Sequence, residues 1–354
     1  MKMRLARSKR RRESFGLDIG SNTVKAVQLR QTGNRWTLTA LASVPLPPES
    51  IVDGVIKSMH AVVDTIREAV AKAGITARDA TIGVAGRELI TKKVQMPEVP
   101  AKELRDAVQL EAEHHIPFPF DEVFLDYHVV GRHAGSMDLI VVAVKKSKVN
   151  DYIAAVEKAG LTAAIVDVDV FALGNQFEHN DADGFGDAVA LIDVGASVMK
   201  TNVIRGRTSV FARDVPFGGN HYTHAIAERL RTTFDEAERA KLGTSANITT
   251  DAIVPALEAV SRDLSLELRR TFDHFGSTSD ADHRIGRIVL SGGTARLPGI
   301  TDFLSSTWKI PVEIARPLER IDVGSSLLEA ASAAGPTLAV GVGLALRRTG
   351  DGAE

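Results

Sequence analysis

Two stretches of the sequence share a pattern of aspartate, any residue and glycine between apolar runs. One is FGLDIGSNTVKAVQL, with Asp18 and Gly20, and the other is ALIDVGASVMKTNVI, with Asp193 and Gly195. A glycine lets the backbone turn tightly, so that main-chain N–H groups can surround phosphate oxygens. The two carboxylates suit Mg²⁺, which binds through one or two carboxylates and keeps several waters. The pattern indicates a phosphate and Mg²⁺ site, and a plain hairpin turn is the alternative.

Two further motifs extend such a site. SGGTARLPG follows an apolar run and precedes a helical pattern, and its paired glycines would admit a flat or phosphorylated group close to the backbone. It is neither a Walker A loop nor a GxGxxG fingerprint, so an ordinary strand-to-helix turn is the alternative. FDEAERAK places Glu238 and Lys241 three residues apart on one helix face, where a solvated ion pair is the alternative.

Several other kinds of chemistry are excluded. The chain has no cysteine, which excludes disulfides, thiolate zinc sites, iron–sulfur clusters and cysteine nucleophiles, and which fits a reducing compartment. No Gly-x-Ser-x-Gly elbow and no HExxH motif is present. The ten histidines do not stand at ligand spacing with a carboxylate or a third histidine, so no histidine-bound metal is predicted.

The elements that must position these residues repeat along the chain. Asp18 and Asp193 lie about half of the 354-residue chain apart, which is too far for a solenoid repeat. The repeat indicates two similar domains, each of which begins with a β-hairpin. Strands that alternate with helices in both halves predict α/β sheets covered by helices.

Periodicity and breaker residues predict the individual elements. Beyond the two hairpins, strands are predicted at 36–42, 81–85, 123–130, 138–144, 161–168 and 287–290. Helices are predicted at 56–73, 101–115, 148–159, 171–177, 219–231, 235–242, 251–275, 300–307 and 327–347. The part from 87 to 160 differs in texture and is predicted to form a compact α+β insert.

The composition indicates a soluble, cytosolic protein. The formal net charge is −2, and the longest apolar stretch, 337–346, falls short of the ~20 residues of a membrane span. No secretory signal is recognisable, because no apolar stretch follows the charges at the start. Seven lysines and arginines fall within the first twelve residues. They form either a solvated tail or a segment attracted to anionic lipid or nucleic acid.

Taken in order, these motifs resemble the superfamily of actin, sugar-kinase and heat-shock-chaperone ATPases. The resemblance implies an actin-like (ribonuclease H-like) two-domain α/β ATPase fold, with ATP and Mg²⁺ in the cleft between the domains. The residues that match the family positions are Asp18 and Asp193 for Mg²⁺; Gly20, Ser21, Asn22, Lys25 and Gly195 for phosphates; Glu238 and Lys241 for the ribose; Gly292, Gly293 and Arg296 for the adenine; and Asp169 for positioning of water.

Within the superfamily, the stretch 111–130 (EAEHHIPFPFDEVFLDYHVV) resembles the family of PilM type IV pilus assembly proteins, which are relatives of FtsA. The resemblance implies a cytoplasmic protein at the inner membrane. Its insert would bind the cytoplasmic N-terminus of PilN, and through PilN other proteins of the pilus assembly platform. The implied domains are a basic tail (1–13), a first actin-like core (14–86), the partner-binding insert (87–160), a connecting strand, helix and linker (161–187), and a second actin-like domain (188–354) with a helical subdomain at about 205–283.

Two other functions remain open at this point. One is an FtsA-like, filament-forming division protein, and the other is a small-molecule kinase of the same superfamily. Whether the chain is an enzyme is also open. Ala196 stands where actin has a second acidic residue, so the resemblance implies slow or absent ATP hydrolysis. Specific nucleic-acid binding is not expected, and self-association is left open.

Overall fold

The computed structural model describes residues 13–133, 135–181, 187–277 and 284–348. The basic cluster at 2–12 lies outside them. The strands are β1 (Ser14–Ile19), β2 (Thr23–Thr32), β3 (Arg35–Pro45), β4 (Ile51–Val52), β5 (Val55–Ile56), β6 (Asp79–Val84), β7 (Leu89–Pro97), β8 (Val123–His133), β9 (Ser136–Lys145), β10 (Thr162–Val168), β11 (Ala188–Val194), β12 (Met199–Arg205), β13 (Thr208–Val215), β14 (Ile285–Ser291), β15 (Val312–Ile314) and β16 (Ile321–Val323).

The helices cover both sheets and end the chain. They are α1 (Met59–Ala73), α2 (Ala101–Ala112), α3 (Lys146–Lys158), α4 (Asp169–Asn180), α5 (Gly219–Leu230), α6 (Phe234–Lys241), α7 (Thr250–Ser277), α8 (Ile300–Trp308), α9 (Leu328–Ala334) and α10 (Ala339–Leu346).

The first sheet has the strand order β10-β6-β1-β2-β3-β16. β1 pairs antiparallel with β2 and parallel with β6, and its side chains Phe15 and Leu17 are fully buried. Helix α1 packs on this sheet through Val62, Ile66 and Ala69, which recur at helical spacing and are also buried. The apolar periodicity therefore forms one buried helix face against one sheet face.

The second sheet repeats this arrangement, with the strand order β13-β12-β11-β14-β15. β11 pairs antiparallel with β12 and parallel with β14, as β1 does with β2 and β6. Every residue of β11 is buried, as expected for a central strand with both faces covered. The prediction of two similar α/β halves, each opening with a hairpin, is confirmed.

A third sheet, with the order β7-β9-β8, forms the insert together with α2. Its core contains Val94, Val108, Met137 and Leu139. Strand β7 was not predicted. Helix α3, which the sequence assigns to the insert, packs in the core of the first sheet through its buried Tyr152.

Two close backbone contacts fix α10 against its neighbours. A Cβ on Gly343 would overlap the carbonyl oxygen of Ala172 in α4, and one on Gly16 in β1 would overlap the carbonyl oxygen of Gly341. Only glycine permits such approaches. The ends of the two halves are thereby joined at the helices α4 and α10.

The end of the chain differs from the predicted single helix at 327–347. A 3₁₀ turn, Gly335–Leu338, separates α9 from α10, because Gly335 has φ +47° and Pro336 follows it. Among the described residues, Ser325–Leu346 is long and apolar enough to cross a membrane by length and composition, with a mean hydropathy of 1.4. This finding corrects the expectation from the sequence that no apolar stretch reaches the length of a membrane span. Residues 339–345 are all buried, as in a core helix.

Short strands account for most of the other differences between the predicted elements and those in the structure. β4, β5, β15 and β16 have two or three residues each, which is too few for a detectable alternation of apolar and polar side chains. β16 follows the second sheet in sequence, yet it pairs with β3 of the first sheet. The chain from 188 onward therefore contributes to both sheets.

Candidate functional site

A cavity of about 810 Å³ lies between the two halves. Its walls are the turns after β1, β11 and β14, together with the N-terminus of α4 and one face of α6. All the residues that the sequence proposed for a site line it, namely Asp18, Gly20, Ser21, Asn22, Lys25, Asp169, Asp193, Gly195, Glu238, Lys241, Gly292, Gly293 and Arg296. Motifs far apart in sequence are thus brought to one place, while the role of each residue stays a prediction.

The first wall is the hairpin turn between β1 and β2. The N–H of Gly20 donates to the carbonyl of Thr23 at 3.1 Å, and a Cβ on Gly20 would lie 3.0 Å from that oxygen. Asp18 is buried at the end of β1, and Lys25 lies opposite it on β2. The Lys25 ammonium donates to Asp18 Oδ2 at 2.9 Å. The turn leaves a narrow backbone surface beside an ion pair.

The second wall repeats this geometry. The N–H of Gly195 donates to the carbonyl of Val198 at 3.1 Å, and Lys200 lies opposite Asp193. The Lys200 ammonium donates to Asp193 Oδ1 at 3.0 Å. Lys200 was not proposed from the sequence, although the echo of the two motifs places it seven positions after Asp193, as Lys25 follows Asp18.

Asp193 has a second partner that the sequence did not identify. The hydroxyl of Ser291, at the end of β14, donates to Asp193 Oδ2 at 2.9 Å. Ser291 is buried and lies beside Asp193 in the parallel pairing of β14 with β11. Both carboxylate oxygens of Asp193 therefore already accept hydrogen bonds from this chain.

Asp169 reaches the same point from the N-terminus of α4. Its Oδ2 lies 3.2 Å from the Lys200 ammonium. Burial raises the pKa of Asp169 above its usual range, and the neighbouring Lys200 opposes that rise. Burial alone would lower the pKa of Lys200, but the carboxylates of Asp193, Asp169 and Asp18 outweigh it, so the pKa lies well above its ordinary value. Lys200 is therefore a fixed cation at neutral pH.

The tips of the two turns touch across the cleft. The hydroxyl oxygens of Ser21 and Ser197 are 2.5 Å apart, and the Asn22 amide donates to Asn220 Oδ1 at 3.1 Å. These contacts join the first half to the second directly.

Glu238 and Lys241 do not form a solvated ion pair on α6. The Lys241 ammonium lies 2.6 Å from Glu238 Oε2 and donates to the Thr223 hydroxyl at 2.8 Å and the Gly219 carbonyl at 3.1 Å. Burial lowers the pKa of Lys241, and Glu238 opposes that shift. The pair is part of the cavity wall, where it ties α6 to α5.

The turn after β14 presents backbone and a hydroxyl to the cavity. Gly292 has φ +84°, and a Cβ there would overlap the carbonyl oxygen of Val194. An added Cβ on Gly293, in contrast, would meet no atom within 4 Å. The buried hydroxyl of Thr294 has no hydrogen-bond partner among the described residues. A ligand with a hydrogen-bonding group would satisfy that hydroxyl.

The predicted Mg²⁺ position at Asp193 does not fit the arrangement as it stands. Mg²⁺ requires carboxylate oxygens that are available to the ion or to its waters. Lys200 and Ser291 each donate to one oxygen of Asp193, Lys25 donates to Asp18, and the two ammonium groups would repel a divalent cation placed beside them. In the described parts of the chain, no group of three or more His, Cys, Asp or Glu side chains is placed to hold a metal ion.

The sequence also did not identify the half-buried carboxylate of Asp214. Asp214 is opposite Lys200 on β13, and its Oδ2 accepts the N–H of Gly86 at 2.6 Å. Gly86 is where the chain leaves the first sheet for the insert. Burial raises the pKa of Asp214 to about 7, although the Gly86 N–H and the Lys200 charge oppose that rise.

Comparisons with known proteins identify the family and the fold. A family model described as type IV pilus assembly protein PilM matches residues 16–349. A solved structure of a PilM–PilN type IV pilus biogenesis complex is 29% identical, with a TM-score of 0.85, and the match covers 96% of this chain and 99% of that one.

More distant relatives share the fold. The cell division protein FtsA of Bacillus subtilis (strain 168) is 23% identical over 359 residues, which is 85% of this chain and 78% of FtsA. The structure of MreB5 of Spiroplasma citri bound to ADP has a TM-score of 0.51 at 12% identity and covers 94% of both chains. The actin-like fold expected from the sequence is therefore confirmed.

Proposed function

The chain belongs to the family of type IV pilus assembly protein PilM, and from that membership we propose that it binds a nucleotide in its cleft and a PilN-like partner through its insert. It is an actin-like type IV pilus assembly protein. An FtsA-like division protein and a small-molecule kinase, the alternatives left open by the sequence, are less favoured because the matching family model is that of PilM.

The observation that carries the nucleotide proposal is the pair of repeated turns facing one cavity. The turns closed by Gly20 and Gly195, with Ser21, Asn22 and Lys25, would receive the phosphates, because hydroxyl, amide and ammonium groups complement phosphate oxygens. Glu238 and Lys241 would contact the ribose. The base would lie on Gly292 and Gly293 beside Arg296, and Thr294 would donate to the nucleotide. ATP fits this order of groups.

Magnesium has a narrower place in the proposal. The carboxylates of Asp18 and Asp193, predicted to hold it, are each bonded to a lysine. We therefore propose that Mg²⁺ enters the cleft as the ion that accompanies ATP.

Hydrolysis is proposed to be slow. Ala196 offers no side-chain oxygen next to the second turn, and Asp169 is held by Lys200 instead of being available to position a water. Nucleotide would then act by favouring one arrangement of the two halves over another, through a difference in affinity. A purified protein that turned over ATP at ~1 per second or faster would contradict this part of the proposal.

The test of the site uses a glycine that tolerates a side chain. Gly293→Val adds a Cβ that meets no heavy atom within 4 Å, at a residue of the cavity lining. We expect it to weaken ATP binding at least about tenfold in calorimetry, a loss of ~1.4 kcal/mol, with unchanged circular dichroism. Gly324→Val is the matched control, since its Cβ also meets nothing and Gly324 lies outside the cavity lining. Equal ATP affinity in both variants would refute the site.

The insert is the proposed partner surface. No described strand pairs with the outer edge of β8, and short peptides often bind at such edges and grooves. Phe124 on β8 is 45% exposed. The Lys146 ammonium lies 5.8 Å from the centre of the Phe124 ring. A peptide with apolar side chains fits this surface, and capture of a membrane protein's N-terminus would hold the chain at the cytoplasmic face of the inner membrane.

The partner proposal is tested with a fluorescent peptide that carries the N-terminal sequence of PilN from the same organism. Anisotropy should report micromolar affinity, ~8 kcal/mol, because ordering a flexible segment costs free energy. Phe124→Ala should weaken binding about tenfold. Leu266→Ala is the control, because Leu266 is similarly exposed on α7, away from the insert. If neither variant changes the affinity, or the wild type does not bind, the insert is not the PilN surface.

A further inference from the structure

Lys200 is bonded to carboxylates from two different segments. Its ammonium lies 3.0 Å from Asp193 Oδ1, on the neighbouring strand, and 3.2 Å from Asp169 Oδ2, at the start of α4. Its side chain is largely buried, with 12% exposed. By comparison, Lys25 in the first turn is bonded to Asp18 alone among the residues that the structure describes. The same structural position therefore holds a more heavily compensated cation in the second half.

The place that Lys200 occupies is one where a divalent cation would otherwise be expected. Three carboxylates, Asp18, Asp169 and Asp193, line the cavity together with Lys200, and neighbouring carboxylates repel one another unless a cation lies among them. An ammonium group at hydrogen-bond distance from two carboxylates supplies that charge and occupies the oxygens that a metal would use. The chain thus carries its own counter-ion at this point.

We infer that Lys200 takes the place of a divalent metal in the second half of the cleft, so that this protein binds nucleotide without requiring Mg²⁺ and acquires a metal site only when Lys200 is removed. The inference names the cation of the site proposed above and in that respect rests on the proposed nucleotide function. Its metal-binding half can be tested without any nucleotide.

The charge balance explains why removal of the Lys200 ammonium group should create a metal site. With both lysines in place, three carboxylates face two ammonium groups, which leaves one negative charge. Lys200→Met leaves two uncompensated negative charges and frees Asp193 Oδ1 and Asp169 Oδ2. Carboxylate oxygens of that kind are the ligands that Mg²⁺ and Mn²⁺ prefer.

The first experiment uses Mn²⁺ alone, measured by electron paramagnetic resonance of the free ion. Lys200→Met should bind Mn²⁺ at least about tenfold more tightly than the wild type, which should bind it no better than Lys57→Met does. Lys57 is an exposed lysine outside the cavity lining, so its replacement matches the loss of charge only. Equal Mn²⁺ binding by wild type and Lys200→Met would overturn the inference.

The second experiment measures ATP binding by calorimetry in EDTA and in Mg²⁺. The wild type should show affinities within about threefold of each other, whereas Lys200→Met should bind at least about tenfold more weakly in EDTA than in Mg²⁺. A wild type that loses ATP in EDTA would overturn the inference. A wild type that binds no ATP under either condition would overturn the proposed function instead, and the Mn²⁺ experiment would still decide on Lys200.

Folding of the variant is checked by circular dichroism and thermal unfolding. If Lys200→Met does not fold, Lys200→Gln replaces it, because its amide N–H still donates to a carboxylate while the charge is removed. The expected results for Mn²⁺ and for ATP are the same. Thermal stabilisation of Lys200→Gln by Mn²⁺, with none in the wild type, would be a further supporting result, and its absence would count against the inference.

Discussion

The two hairpin turns of the cleft use one geometry with different surroundings. In each, a glycine N–H closes the turn at 3.1 Å and an aspartate is bonded to a lysine on the next strand, at 2.9 Å for Asp18 and 3.0 Å for Asp193. The strands on either side differ. Lys25 lies opposite Ser43 on β3, whereas Lys200 lies opposite Asp214 on β13.

The parallel neighbour strands differ as well. Ser291 lies beside Asp193 and donates to it, while the corresponding position beside Asp18, one residue beyond the pair Leu17 and Ile82, is Gly83. A Cβ on Gly83 would overlap the carboxylate of Asp169. The absence of a side chain at Gly83 therefore leaves space for the Asp169 carboxylate. Asp169 in turn is bonded to Lys200 of the second half. The two turns are alike, and the cleft is asymmetric because the strands beside the turns carry different residues.

The largest effect should come from removing the two carboxylates that are bonded to Lys200. Asp169→Asn combined with Asp193→Asn strands a buried ammonium group, which we expect to lower the free energy of unfolding by ~3–5 kcal/mol. Asp18→Asn strands Lys25 and should cost less, ~1.5–3 kcal/mol, because one hydrogen bond to a charged group is lost. Urea unfolding measures both.

A third replacement controls for the amide substitutions themselves. Adding Lys200→Met to the double variant removes the stranded charge, so part of the lost stability should return. If the triple variant is no more stable than the double variant, the burial of the ammonium ion is not the cause. If Asp18→Asn costs as much as the double variant, the proposed difference between the two halves is wrong.

The next effect concerns Asp214 and pH. Burial raises its folded pKa to about 7, above the unfolded value, so the folded protein binds the extra proton. The stability from that proton is fully present below the unfolded pKa and is lost as the pH rises through about 7.

Asp214→Asn cannot titrate, and its side-chain oxygen can still accept from Gly86. Relative to this variant, the wild type should lose on the order of 1 kcal/mol of unfolding free energy per pH unit between about pH 4 and pH 7. Urea unfolding over that range measures the difference. Parallel pH profiles for the two proteins would show that Asp214 is ionised throughout.

A smaller effect is expected at Gly83. Gly83→Ala pushes the Asp169 carboxylate away from Lys200, and overpacking of this kind costs ~1–3 kcal/mol. Ser291→Ala, at the corresponding position in the second half, removes one hydrogen bond and should cost ~1 kcal/mol. Chemical denaturation compares them. Adding Asp169→Ala to Gly83→Ala should relieve the overlap, and a strictly additive loss would contradict the explanation.

The smallest effect is at the contact between the turns. Ser21→Ala and Ser197→Ala each remove the hydroxyl contact across the cleft, at a cost of ~1 kcal/mol or less in stability. Both should increase the radius of gyration slightly in X-ray scattering, and to the same extent, because they break the same bond. Unequal changes would mean that one of the serines has another partner in solution.

The sequence predicted the features that depend on local patterns. The hairpins around Asp18 and Asp193 and the helix α7 were predicted because glycine, β-branched runs and a 3.6-residue period are visible without a partner strand. β7 was missed because Lys92 and Lys93 interrupt its alternation. β16 was missed because three residues show no period.

The site residues likewise fall into those that local sequence patterns predicted and those that they did not. Residues within a motif, such as Glu238 and Arg296, could be proposed from one stretch of sequence. Ser291, Gly83 and Asp214 act through strand neighbours, and which strands become neighbours is decided by packing of the whole sheet. Lys200 was an intermediate case, since comparison of the two motifs was enough to find it.

The crossing of α4 and α10 has a mechanical consequence. At Gly343 the two helices meet backbone to backbone, so the Ala172 carbonyl obstructs sliding of one helix past the other. We therefore expect the two halves to pivot about this contact, so that the displacement of a residue grows with its distance from Gly343. Asp18 lies next to Gly341 and should move least when the cleft opens. The contact between Ser21 and Ser197 should separate first when the cleft opens.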